Sequence, residues 1–150
     1  MSYTSAKTRR SFSFDALLQF KDAGLVAADG AATVSSVAKI VDVGAGLFEA
    51  DMVLDVTALE VATGDERYEI QVQGSNSPSF AFGIAQLATF VIGDSSVQGG
   101  DADDTTGRYV FGFSNQGKDE TLYRYLRIYS DVAGTIATGV NFTAFAAQRG

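Results

Sequence analysis

Chemistry in this chain must be done by carboxylates, hydroxyls and a few amines, because its 150 residues include no His and no Cys. A Ser-His-Asp triad, a thiolate nucleophile and a zinc site of imidazoles or thiolates are therefore excluded. Three acidic groupings remain. Asp101, Asp103 and Asp104 stand between Gly100 and Gly107, and carboxylates on a short loop are the donors a hard cation such as Ca²⁺ prefers. The stretch lacks the sixth-position glycine and twelfth-position glutamate of a helix-loop-helix calcium site, so a solvated loop is the expectation. Asp65-Glu66 and Asp119-Glu120 are adjacent pairs. A glycosidase needs two carboxyls facing across a cleft, about 5–10 Å apart, whereas these pairs lie beside Gly64 and Gly117 in turn-forming sequence. Gly44-Ala45-Gly46 follows an apolar run but lacks the third glycine and the helical pattern of a dinucleotide site. No catalytic residue, cofactor or metal ligand is assigned, and the chain is read as a non-enzyme.

Two groupings could instead recognise a partner. Tyr123, Tyr125 and Tyr129 form an aromatic row, and exposed tyrosines offer large contact area with few rotatable bonds. The row either anchors an interface or covers its own sheet; sugar stacking ranks below both, since Trp, the strongest π platform, is absent. The second grouping is N-terminal. Lys7, Arg9 and Arg10 precede Phe12, Phe14 and Leu18, which combines a basic arm with apolar anchors. Residues 1–21 carry a net charge of +3 within a chain of net charge −7. A basic end on an acidic body suits an arm that docks on an acidic protein surface. The same balance argues against nucleic-acid binding, which needs clustered Lys and Arg.

The elements that must position these residues read as strands. Tyr68, Ile70 and Val72 alternate with Glu69, Gln71 and Gln73, the period-two signature of a half-buried strand. Met52, Leu54, Val56 and Ala58 give a second such face; Tyr109, Phe111 and Phe113 a third; Val140, Phe142, Ala144 and Ala146 a fourth. In Tyr123 to Tyr129, Leu126 and Ile128 are the core candidates. Weaker segments at 36–43 and 85–92 bring the count to seven or eight strands, separated by glycine-containing turns. The expected fold is an all-β, jelly-roll-like antiparallel sandwich of about eight strands over residues 34–150. Residues 1–33 are expected to form an extended arm and linker. Asp15 could instead cap a short helix from Ala16 to Ala23, but a helix of that length is marginal without packing. No apolar run reaches the ~18 residues of a membrane span, and the stretch from Phe12 to Phe20 is interrupted by Ser13, Asp15 and Gln19, unlike a secretory leader.

Several of these stretches resemble the capsid cement (decoration) proteins of tailed bacteriophages. The resemblance lies in Tyr123-Arg124-Tyr125-Leu126-Arg127-Ile128, in the closing run Gly139 to Phe145, in the opening run Phe14 to Ala23, and in Glu69 to Ser75 with Phe80 downstream. It covers about half of the chain. The stretch from Gly93 to Gly107 has no match in the family pattern. The resemblance implies a jelly roll that assembles as a homotrimer on the outer surface of the phage head, binds the major capsid protein and has no catalytic residues. Synthesis would be in the host cytoplasm and the destination the virion. Arg124 to Ile128 alone is also similar to the penultimate strand of discoidin-type sugar-binding jelly rolls. A carbohydrate-binding module and a receptor-binding or tail accessory protein of a virion therefore stand as alternatives.

Overall fold

Alternation of large apolar and polar residues commits a segment to a sheet with one wet and one dry face. In the computed structural model, which describes residues 14–93 and 105–148, each such segment is a strand. A single turn of 3₁₀ helix, Ala16–Leu18, opens the fold. Six strands of two or three residues follow: β1 (Gln19–Lys21), β2 (Leu25–Val26), β3 (Gly30–Ala31), β4 (Thr33–Val34), β5 (Val37–Ala38) and β6 (Val41–Asp42). Six long strands complete it: β7 (Glu49–Leu59), β8 (Arg67–Ser75), β9 (Ala85–Gly93), β10 (Gly107–Ser114), β11 (Tyr125–Ala133) and β12 (Val140–Gln148).

The strands form two facing antiparallel sheets. The first runs β1-β12-β7-β10, with β2 also on β12; the second runs β3-β11-β8-β9, with β6 also on β11. Strands β4 and β5 make a separate hairpin. The inner faces close on one core. Met52 and Leu54 from β7 and Phe142 from β12 meet Tyr68 and Ile70 from β8 and Leu126 and Ile128 from β11, all fully buried. Tyr68 keeps its hydroxyl satisfied by donating to the Glu60 carbonyl at 2.7 Å. Burial, with the nearby Glu60 and Glu66 charges, pushes that hydroxyl up to about 12.

The antiparallel registers gather the loops at two ends. Loops 43–48, 76–84 and 115–124 share one end; Asn76 ties the second to the third, and Asn115 ties the first to the third. Its Oδ1 accepts from Phe48 N at 2.7 Å, and its Nδ2 donates to the carbonyls of Gly46 and Tyr123. Loops 60–66 and 134–139 meet at the other end, where Glu60 accepts from the backbone N–H groups of Ala137, Thr138 and Gly139 at 2.7–2.9 Å. Gly139 has φ +90°, and a Cβ there would strike the Val26 carbonyl, so only glycine fits this crossing.

The expectation of an extended arm and linker over 1–33 is corrected for its described part. Asp15 does cap a helical turn, its Oδ1 accepting from Leu17 N at 2.9 Å, but the turn stops after three residues. The chain then enters the sandwich: β1 and β2 pair with β12, and β3 pairs with β11. The physical reason is Phe20, which is fully buried and lies edge-on to Phe113 at 6.3 Å. Alternation over three residues is too short to read as a strand in sequence, yet it suffices to bury one ring.

Candidate functional site

The outer face of the first sheet carries the described end of the N-terminal segment. On β12, Ala144 and Ala146 point into the core, so Phe145 points out. Phe14 lies edge-on against it, ring centroids 5.4 Å apart, and remains 58% exposed. Arg108 of β10 sets its guanidinium 5.9 Å from the same Phe145 ring. It also grips Asp55 of β7 with two bonds, Nε to Oδ1 at 2.7 Å and Nη2 to Oδ2 at 2.9 Å. The pair is largely exposed, so its contribution to stability is small, but it orients the guanidinium over the ring. Leu18 does not join this face; it packs against the core.

The outer face of the second sheet carries part of the tyrosine row. Tyr125, Arg127 and Tyr129 alternate with buried Leu126 and Ile128 along β11. Arg127 lies 4.4 Å from the Phe80 ring and 5.5 Å from that of Tyr129. Its Nε donates to Gln73 Oε1; Gln73 Nε2 donates to Gln71 Oε1; Gln71 Nε2 donates to Glu69 Oε1, each at 2.9 Å. A hydrogen-bonded row thus links a cation on β11 to a carboxylate on β8, and burial lowers the affinity of the Arg127 guanidinium for its proton.

Tyr123 does not belong to that row. It precedes β11 and sits at the loop end, where it shares a cleft of about 400 Å³ with Ile84, Gln86 and Lys118. The structure therefore splits the three tyrosines, and it sets Tyr125 and Tyr129 on the opposite outer face from Phe14.

The paired carboxylates are structural. Asp65 accepts from the Thr63 hydroxyl at 2.6 Å and from the N–H and hydroxyl of Thr135, and these bonds hold it below the usual carboxylate range. Burial raises Glu66, but the N–H groups of Thr63 and Gly64 outweigh that and leave it lowered. Hydrogen bonding from Thr121 lowers Asp119. A general acid needs a carboxyl raised toward neutral pH; Asp65, Glu66 and Asp119 are shifted the other way.

Lys21 contributes to the +3 charge of residues 1–21 but lies in the sandwich, on β1. It is 4% exposed, and its Nζ donates to the carbonyls of Asp22, Gly24 and Phe142 at 2.8–3.0 Å, 4.5 Å from the Phe142 ring. Burial lowers it to about 8. No short sequence signal marks it, because its three acceptors are backbone carbonyls, one of them 121 residues away.

Lys7, Arg9, Arg10 and Phe12 lie outside the described residues, as do Asp101, Asp103 and Asp104. Among the described residues no group of three or more acidic side chains is placed to hold a metal ion. No helix there is long and apolar enough to cross a membrane. No family model matches the chain, and no curated protein matches its sequence.

Proposed function

We propose that the protein is a capsid decoration protein of a tailed bacteriophage, a structural, non-enzymatic component of the virion. In this reading it is a homotrimer on the outer surface of the head that binds the major capsid protein and strengthens contacts between capsid subunits. It contacts neither nucleic acid nor membrane. The strand orders β1-β12-β7-β10 and β3-β11-β8-β9, with the long strands crossing from sheet to sheet at every connection except the β8–β9 hairpin, support a jelly roll.

The observation that carries the proposal is the position of Phe14. It stands half free on an outer face, against Phe145, at the point where thirteen further residues bearing Lys7, Arg9, Arg10 and Phe12 join the sandwich. Phe14 joins that basic, aromatic segment to a surface of the sandwich rather than to its core. Several copies of such a segment on one oligomer gain affinity by effective concentration. Removal of residues 2–13 leaves every described strand and the Phe14–Phe145 contact in place. The truncated protein is expected to keep its circular dichroism and melting temperature and to lose binding to DNA-filled heads in a pull-down. Truncated protein that binds heads as well as the full chain would remove the arm from the account.

A further inference from the structure

Among the described residues, β9 and β10 are the outer strands on the same flank, each with a neighbour on one side only. They are also long, nine and eight residues. An uncovered strand edge presents a row of N–H and C=O groups that can pair with another chain, and isolated proteins commonly block it with Lys, Pro or a bulge. Neither strand contains Lys or Pro, and β10 follows β7 without a bulge from Gly107 to Ser114. The β9 pairing with β8 has one irregularity, opposite Val72 and Gln73.

The seam between the two strands is aromatic and half-buried. Phe90 of β9 stacks on Phe111 of β10 at 5.4 Å, planes within 6°, and tilts against Tyr109 at 5.6 Å. Val110, between Tyr109 and Phe111 in sequence, is on the outer face of β10 and is 38% exposed. Among the described residues the flank is also almost free of charge. Strand β9 has no side chain charged at neutral pH, and β10 has Arg108 alone, already paired with Asp55. In a chain of net charge −7 most surfaces of two copies repel one another. Strands β9 and β10 add no such repulsion, and they offer edge hydrogen bonds and apolar area together.

We infer that the β9–β10 flank is where a second copy of this chain docks. The inference deepens the oligomer named in the proposed function and identifies its surface. Sedimentation equilibrium of the full-length protein over a broad concentration range tests it, without any capsid present. Val110→Lys and, separately, Thr89→Lys place a charge on exposed positions of the flank. The wild type is expected to self-associate, and either substitution to weaken that association by about tenfold or more, with circular dichroism unchanged. Val37→Lys, on the β4–β5 hairpin and 68% exposed, is expected to leave it intact. A wild type that is monomeric throughout, or association that neither flank substitution weakens, overturns the inference. Head binding is measured separately, so an oligomer that ignores heads would refute the decoration reading and leave this interface standing.

Discussion

Lys21 and Tyr68 set an unusual dependence of stability on pH. The ammonium of Lys21 is lowered to about 8 by burial, so between pH 8 and about 10.5 the unfolded chain holds a proton that the folded chain has released. Stability therefore rises with pH through that window, by a ceiling on the order of 3 kcal/mol. Tyr68 acts in the opposite sense: its folded value near 12 lies above the ordinary 10, so stability falls as pH rises from 10 to 12. At the acid end Glu60, Asp65 and Glu66 are lowered by their hydrogen bonds, and the stability they supply is lost as pH falls below about 4. Denaturant unfolding midpoints are expected to climb from pH 7 to a maximum near pH 10. Lys21→Met should flatten the climb above pH 8. A midpoint that declines steadily from pH 7 in the wild type would contradict the placement of Lys21.

At the scale of elements, the long strands were legible and the short ones were not. Met52, Leu54, Tyr68, Ile70, Val72, Leu126, Ile128 and Phe142 are readable as core because alternation over six or more residues leaves little choice of face, and all are buried. Six strands of two or three residues carry no such period; β1, β2, β3 and β6 exist because β12 and β11 offer them an edge, which is tertiary information, while β4 and β5 pair with each other. The tyrosine row failed for a related reason. Tyr123 shares the alternation of Tyr125 and Tyr129, but Asn115 and Asn76 bind the backbone around it, Asn115 holding Tyr123 O and Asn76 holding Leu122 O and Arg124 N, and bend it away before β11 starts. The β4–β5 turn shows a local rule broken. Ser35 and Ser36 have φ of 53° and 65°, the left-handed pair of a type I′ hairpin, which favours Asn-Gly. Replacing Ser35-Ser36 by Asn-Gly is expected to stabilise the fold by about 1 kcal/mol, read as a higher melting temperature; a lower one would mean that Ser35 N–H, which donates to Asp22 Oδ2 at 2.7 Å, is not held as described.

At the scale of the whole molecule, the two outer faces and the β9–β10 flank have different characters. One face holds Phe14, Phe145 and the Arg108–Asp55 pair; the other a polar row from Arg127 to Glu69 beneath two tyrosines; the flank is apolar and nearly uncharged. A sandwich with three distinct surfaces suits a protein that must meet its own copies and another protein at once. The measurement that tests this most directly is sedimentation of the native lysate, with mass spectrometry of each fraction. Decoration predicts co-migration with DNA-filled particles at a copy number near that of the main shell protein. Protein found entirely at the top of the gradient, as a small soluble species, would contradict it.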